Sequence, residues 1–359
     1  MLKFAPAWVI ITSAAGLGAK RRLASTTGRI AVISPPNKPI YRSASLVVLP
    51  LLLATIVTAC GSTKADKAEN SKSSGHVVHD LLQTGESAFR RGDVKLADKC
   101  FNEALTAAMQ ADRYGRNVAL ALNDLALTTS IDKDRSPAGK KNLPQAIAYQ
   151  KRALDLEERL SGAESLDVAY DLNNLGVWYG TNEQWKEGGE ALARAAKIRE
   201  KKLGEKSVLL AVTLGNLAEN YSHQKRYDEA ISLYNRAATI YENDGSPTEA
   251  ARAHDKEAGL YLDQGKTAPA VKVLRQVLAL REKAFGKDNI LVAETLNNIA
   301  VTEMTAGHNA VAEPLFDRAY KIVKKQSDRE IIDSVKMGYR KCLQNMGKNA
   351  EAEKLGREI

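Results

Sequence analysis

A catalytic or cofactor site would have to be built from the nucleophiles, carboxylates and histidines of this 359-residue chain. The sequence has no glycine-rich phosphate-binding motif. One histidine pair, His76 and His79, has the spacing of a helical metal site, but no third ligand lies near it in the sequence. The other histidines are His223, His254 and His308. We therefore expect no enzymatic activity, no metal, no cofactor and no small-molecule substrate.

One cysteine has a context that points to covalent chemistry. Residues 46–59 form a run of fourteen residues without a charge, interrupted by Pro50 and preceded by Lys38 and Arg42. The run is too short to span a bilayer, which takes roughly 20 helical residues, but it fits the apolar segment of a secretory signal peptide. It ends in Val-Thr-Ala-Cys at residues 57–60. Small side chains before the cysteine suit cleavage by a signal peptidase.

These four residues resemble the lipobox of bacterial lipoproteins, in which a diacylglyceryl group is attached to the cysteine thiol. The resemblance implies lipidation of Cys60, removal of the leader 1–59, and a lipid-anchored protein of the bacterial cell envelope. Gly61 in place of Asp favours the outer membrane, on its periplasmic or surface side, if the cell has two membranes. Residues 60–77 are expected to form the lipidated cysteine and a flexible tether. The alternatives are a plain signal peptide that contains a cysteine, or a short buried helix.

The leader also carries the excess positive charge. Seven of the 52 Lys and Arg residues lie within 1–59, which contain no Asp or Glu, so the rest of the chain has 45 basic against 43 acidic residues. This balance argues against nucleic-acid binding, which needs a basic face.

The leader is long for a signal peptide. Translation that begins downstream of Met1 would explain its length, and an organellar transit peptide is the alternative.

A repeat runs through the remainder of the chain. Four segments align at once, LNDLA from Leu122, LNNLG from Leu172, LGNLA from Leu214 and LNNIA from Leu296. The last residue of each segment is small. The equivalent positions along the whole chain are Gly85, Ala126, Gly176, Ala218, Ala258, Ala300 and a degenerate Arg340. The interval is about 42 residues, except for a longer one before Gly176. Further small residues follow each segment, so two helices could approach closely in every repeat.

This pattern resembles tetratricopeptide repeats of the kinesin-light-chain type, and the resemblance covers nearly everything from His79 onward. It implies an all-α fold, a right-handed superhelical solenoid of about seven antiparallel helix pairs over residues 78–359. Gly204 and Gly286 should end helices. The long interval predicts a loop insertion near residues 130–142, either a partner contact or mere decoration. Cys100 and Cys342 are expected to be buried free thiols.

The same resemblance places a ligand groove on the first helix of each pair. An asparagine amide can donate to and accept from a peptide backbone, so it can hold an extended ligand without selecting its sequence. The alternative is that these asparagines only cap local backbone or face water. The candidates for the groove are Asn123, Asn173, Asn174, Asn216, Asn297, Asn298, Arg252 and Lys256. Other side chains expected to project there are Tyr170, Glu219, His223, Glu294 and Met304.

The function that these features predict is a membrane-anchored scaffold that binds a protein or peptide of unknown identity. A structural subunit of an envelope assembly or secretion machine is the alternative. The sequence does not identify the partner, the pathway or the oligomeric state.

Overall fold

The computed structural model of the chain describes residues 68–131, 142–325 and 329–357. The described residues form fourteen α-helices and no strand, as the sequence predicts. The leader, Cys60 and the first part of the tether lie outside them, as do residues 132–141. The chain divides into two compact units, one ending at Gln224 and the other running from Lys225. With the helices numbered in chain order, the odd-numbered ones are the first helices of the pairs and the even-numbered ones are the second helices.

The first unit contains seven of the helices. Consecutive helices pack against each other along the chain, and the first helices α1 and α3, and α5 and α7, also make contact. Turns of a few residues join most of these helices, so neighbours are antiparallel. The helices are α1 (Ala68–Arg90), α2 (Val94–Ala111), α3 (Arg116–Thr129), α4 (Leu143–Ser161), α5 (Leu166–Thr181), α6 (Trp185–Leu203) and α7 (Val208–His223).

The second unit repeats this arrangement with the other seven. Each helix packs on the next, and the first helices α11 and α13 also touch. The helices are α8 (Tyr227–Asp244), α9 (Pro247–Asp263), α10 (Thr267–Phe285), α11 (Ile290–Thr305), α12 (Asn309–Val323), α13 (Arg329–Asn345) and α14 (Asn349–Arg357).

The predicted small residues lie where helices pack most closely. Ala126, Ala218, Ala258 and Ala300 are fully buried. At Gly176, a Cβ atom would come within 2.5 Å of the Leu192 side chain, so glycine is required at this contact between α5 and α6. The recurring small side chain thus sets the distance between the two helices of a pair.

The last pair inverts this packing. Arg340 occupies the position of the small residue, and Gly356 occupies the position that Leu192 or Phe316 takes in other repeats. The Arg340 guanidinium lies against Gly356, where a Cβ would be 3.1 Å from its central carbon, and its Nε donates to the Ala352 carbonyl at 3.2 Å. A large first-helix residue is therefore accommodated by a small second-helix residue.

The ends of the helices follow the sequence signals. Side-chain oxygens of Asp93 and Ser165 accept hydrogen bonds from the backbone at the starts of α2 and α5. Gly204 and Gly286 end α6 and α10 with φ of 82° and 84°, which confirms both predicted helix stops.

The predicted insertion lies between α3 and α4. The helix α1 begins at Ala68, ten residues before the predicted start of the repeats at 78, so residues 68–77 of the predicted tether are helical.

Candidate functional site

Most of the asparagines predicted to line a groove are buried between helices. Asn173, Asn174, Asn216 and Asn297 are each at most 5% exposed, Asn298 is 8% exposed, and only Asn123 is half-buried. They lie on α3, α5, α7 and α11, all first helices. Their amides therefore contact neighbouring helices, and only a small part of each amide is exposed to a ligand.

In the first unit these amides link successive first helices. Asn216 Nδ2 on α7 donates to Asn173 Oδ1 on α5 at 3.1 Å, and Asn173 Nδ2 lies 3.5 Å from Asn174 Oδ1. Asn123 Nδ2 on α3 donates to Asp171 Oδ1 on α5 at 2.8 Å. Side chains that were predicted to hold a ligand thus hold α3, α5 and α7 together, and their contact with a ligand stays a prediction.

Asp171 lies at the centre of a buried polar cluster that the sequence pattern did not reveal. Its Oδ1 accepts from Asn123 and from Gln150 Nε2 at 3.2 Å, and Gln150 also donates to Asn123 Oδ1. Burial, reinforced by the Glu157 charge, raises the pKa of Asp171 to about 8 against the opposing effect of the Asn123 hydrogen bond. Among the described residues, Asp171 Oδ2 and Gln150 Oε1 have no hydrogen-bond partner. A protonated Asp171 is therefore the form that suits this site at neutral pH.

In the second unit the candidate residues are divided between a buried face and a half-buried one. Asn297 Oδ1 is buried without a hydrogen-bond partner among the described residues, and a Cβ at Gly338 on α13 would lie 3.6 Å from it. Arg252 and Lys256 on α9 are half-buried, and Arg252 pairs with Glu249 at 3.5 Å. The two basic side chains therefore remain partly open to solvent.

The other side chains expected on this face are also partly accessible. Tyr170, Glu219, Glu294 and Met304 are half-buried. His223 lies at the end of α7, and its ring stacks on Trp185 with 4.0 Å between ring centroids and an interplanar angle of 6°. We define a first-helix face in each unit. It consists of Tyr170, Glu219 and His223 in the first unit, where it is mixed polar and aromatic, and of Arg252, Lys256, Glu294 and Met304 in the second, where it is mainly polar.

Two arginines at equivalent positions of α6 and α10 were not identified from the sequence. Arg199 is buried and Arg281 is half-buried. Arg199 Nη1 donates to the Leu209 carbonyl at 2.9 Å and to Thr213 Oγ1. Eighty-two positions on, Arg281 Nη1 donates to Thr295 Oγ1 at 2.6 Å, and its Nη2 contacts Asp255 Oδ2 at 2.5 Å. The signal that could have revealed them is the shared fourteen-residue spacing from arginine to threonine.

A buried histidine joins α8 to α9. His254 Nδ1 lies 2.8 Å from Glu257 Oε2, and its Nε2 lies 3.0 Å from Glu242 Oε1. Burial acts to lower the pKa of His254, but hydrogen bonds to the two carboxylates outweigh it and the pKa is raised. The group holds two helices together and offers no open position to a substrate.

Metal sites and membrane-spanning helices are both missing from the described part of the chain. Within the described ranges no group of three or more His, Cys, Asp or Glu side chains could hold a metal ion. No helix among those described combines the length and apolar character needed to cross a bilayer. Cys100 and Cys342 are buried and free, which confirms that prediction, and burial raises the pKa of the Cys342 thiol to about 11.

Comparison with known proteins identifies the class of repeat. Residues 172–243 and 249–325 match the sequence family described as tetratricopeptide repeat. The chain therefore contains tetratricopeptide repeats, in the part that includes α6 to α12. No curated protein matches the chain significantly.

Solved structures agree with this class. Aspartyl phosphate phosphatase F from Bacillus subtilis is 14% identical over 78% of this chain and 73% of its own, with a TM-score of 0.50. The apo form of RapI is 13% identical over 76% of this chain and 99% of its own, also with a TM-score of 0.50. A kinesin light chain from Podosopora anserina with nearly identical TPR-like repeats is 19% identical over 52% and 90%, with a TM-score of 0.47. At these identities the first two likenesses show a shared fold of paired helices.

Proposed function

We propose that this chain is a lipid-anchored scaffold of the bacterial cell envelope, which binds a peptide segment or partner protein along its first helices. The observation that carries the proposal is the first-helix face. Partly accessible polar side chains recur there on first helices of both units, joined by aromatic rings in the first. Repeat proteins expose an extended surface in this way because each pair contacts only its neighbours.

Half-buried side chains are well suited to binding because packing already restricts their rotamers. Tyr170 and Glu219 in the first unit, and Lys256 and Glu294 in the second, lose less conformational entropy on contact than fully exposed side chains would. The asparagines beneath them fix the first helices by hydrogen bonds such as Asn216 to Asn173. We therefore assign the ligand contacts to the half-buried residues, and the ordering of the helices to the buried asparagines.

The charges on this face favour one kind of partner over another. In the second unit, the basic residues Arg252 and Lys256 are accompanied by the acidic residues Asp255 and Glu294. A surface of mixed sign suits a partner with both charges and polar backbone contacts. Recognition of a single terminal carboxylate needs a set of basic residues, so a surface of mixed sign does not suit such a ligand.

Site-specific photocrosslinking tests the protein-binding role. A photoreactive amino acid replaces Lys256 on the first helix α9, and the matched control replaces Lys272 on the neighbouring second helix α10. We expect an envelope protein to be crosslinked from position 256 and not from position 272. Crosslinking of equal yield at both positions, or at neither, would contradict binding along the first helices.

The anchor is tested separately. We expect radioactive palmitate to label the protein, and Cys60→Ala to abolish both the label and the recovery of the protein in the membrane fraction. A labelled Cys60→Ala variant, or an unlabelled chain with the natural residue, would contradict lipidation at Cys60 whatever the crosslinking shows.

A further inference from the structure

The exposed apolar side chains of the first unit are concentrated at one edge. In this unit the first helices begin, and the second helices end, at the same edge because consecutive helices are antiparallel. We call it the entry edge, and it consists of the turns 112–115, 162–165 and 204–207 with the adjoining helix ends. Of the seven large apolar side chains that are exposed in the described part of this unit, six lie there. They are Val77, Tyr114, Leu160, Leu166, Leu203 and Leu209.

Polar contacts across the turns show that these helix ends lie side by side. Arg116 at the start of α3 donates to Ser161 Oγ at the end of α4 at 2.8 Å and lies 3.5 Å from Asp167 at the start of α5. Lys201 near the end of α6 contacts Glu164 in the turn before α5 at 2.6 Å. The leucines next to these residues therefore belong to one continuous edge.

The seventh exposed side chain provides the contrast. Leu96 lies in the first turn of α2, at the opposite edge, and is 36% exposed. Tyr114 is 62% exposed and Leu160 46%. Single exposed leucines are normal on any surface, but an exposed set confined to one edge indicates an interaction surface.

The course of the chain indicates what covers this edge. The helix α1 begins at Ala68, nine residues before Val77, which is level with the first turn of α3 by the repeat spacing. At 1.5 Å per residue, α1 extends roughly 13 Å past Val77 on this side. The eight residues from Cys60 to Ala68 add at most about 28 Å. A lipid on Cys60 would hold the entry edge, and not the opposite one, next to the bilayer.

The charges of the edge are compatible with lipid contact. The ion pairs Arg116–Asp167 and Lys201–Glu164 neutralise four of them. Asp112 and Arg113 in the first turn cancel each other. Lys202 and Lys206 add positive charge, and the exposed Glu205 between them offsets part of it. The edge is close to neutral, so burial of apolar side chains in the headgroup region dominates over attraction to anionic lipid.

We propose that the entry edge of the first unit lies on the bilayer surface and inserts its leucines and Tyr114 into the headgroup region. The inference rests on the lipid anchor proposed above. It gives the repeats a fixed orientation, because the edge rests on the membrane instead of leaving the repeats free on a tether. The first-helix face of this unit then stays accessible to a partner above the lipid surface.

The test uses the full lipidated protein reconstituted in phosphatidylethanolamine–phosphatidylglycerol vesicles. An environment-sensitive fluorophore is attached to Leu166→Cys, to Leu203→Cys and, as the matched control, to Leu96→Cys. The natural Cys100 and Cys342 are buried and do not compete for the label. We expect blue-shifted emission at positions 166 and 203, and quenching by spin-labelled lipid about threefold stronger there than at position 96.

The possible outcomes separate the two proposals. If Cys60 carries lipid and the probes at 166 and 203 are no better quenched than the probe at 96, the entry edge does not contact lipid and the inference is overturned. If those probes become shielded only when envelope proteins are added, the edge contacts a protein, and the inference is again overturned. If Cys60 itself reacts with the fluorophore it is not lipidated, and the anchor and the edge proposal both fall.

Discussion

Three junctions between helix pairs use repeat-equivalent positions with different chemistry. The first junction in chain order, between α4 and α5, has a carboxyl group at both positions, Glu157 and Asp171. The second, between α6 and α7, has Arg199 with Thr213, and the third, between α10 and α11, has Arg281 with Thr295. The backbone arrangement recurs while the polar groups change from arginine and threonine to two carboxyl groups, which shows that helix packing fixes the repeat and leaves the polar contacts free to vary.

Each junction satisfies its buried groups in its own way. At the third junction, Asp255 lies opposite Arg281 at 2.5 Å and forms an ion pair. At the second, Arg199 donates to a carbonyl and a hydroxyl, and burial lowers its pKa to about 10. At the first, Asp171 has amide donors, and burial raises its pKa to about 8. The cost of a buried charge is thus met by pairing, by carbonyl acceptors or by protonation.

The largest expected effect separates the second and third junctions. Arg281→Leu would leave the half-buried Asp255 without its ion-pair partner, so we expect a loss of about 2–3 kcal/mol in the free energy of unfolding measured in urea. Arg199→Leu leaves no buried carboxylate behind and should cost at most ~1 kcal/mol. Adding Asp255→Asn to Arg281→Leu should restore most of the loss. Equal losses at the two arginines, without rescue, would show that the ion pair does not distinguish these junctions.

The first junction should make the free energy of unfolding depend on pH. The folded-state pKa of Asp171, about 8, lies above its unfolded value of about 3.9, so the folded state binds the proton more tightly. The contribution of Asp171 to stability should therefore be greatest at low pH and fall as pH rises toward 8, by about 2 kcal/mol between pH 6 and pH 8. Asp171→Asn should remove this fall. Urea unfolding at several pH values measures it.

The control for that experiment lies in the second unit. The raised pKa of His254 acts in the same direction, because its stabilisation is present below the unfolded pKa and lost as pH rises through the folded one. His254→Gln removes this contribution, so Asp171→Asn is compared with the natural residue in the His254→Gln background. A pH dependence that is unchanged by Asp171→Asn in this background would mean that the carboxyl is already ionised at pH 6.

A smaller effect tests whether the two arginine junctions are equivalent. Thr213 and Thr295 each accept from an arginine, and each donates to the carbonyl four residues earlier, at 3.2 Å and 2.8 Å. Replacement by valine keeps the shape and removes the hydroxyl, so we expect each variant to lose about 1 kcal/mol. Thermal unfolding followed by circular dichroism provides the comparison. A loss at only one threonine would show that the arginine–threonine contact contributes differently to stability in the two units.

Much of the fold was predictable because it depends on spacing. Small residues such as Ala126 and Ala218 could be located from the repeat alone, since only small side chains fit where helices meet. The candidate site was less predictable. The position of a residue on a helix does not reveal how close the first helix of the following pair lies. That distance decides whether the Asn173 side chain contacts a ligand or is hydrogen-bonded to Asn216. The partners of Asp171 come from other helices and depend on that approach.

The smallest expected effect concerns the turns that follow the first helices. Gly92, Gly265, Gly307 and Gly347 adopt positive φ there, whereas Glu183 and Lys225 adopt φ of 62° and 61° without being glycine. The left-handed conformation costs a residue with a Cβ atom roughly 1–2 kcal/mol, of which the greater unfolded-state entropy of glycine offsets part. We expect Lys225→Gly to stabilise the chain by about 0.5–1 kcal/mol in urea unfolding. Lys225→Ala, which removes the charge and keeps the Cβ atom, should leave stability nearly unchanged. A gain of equal size from alanine would assign the effect to the lysine side chain and not to the backbone.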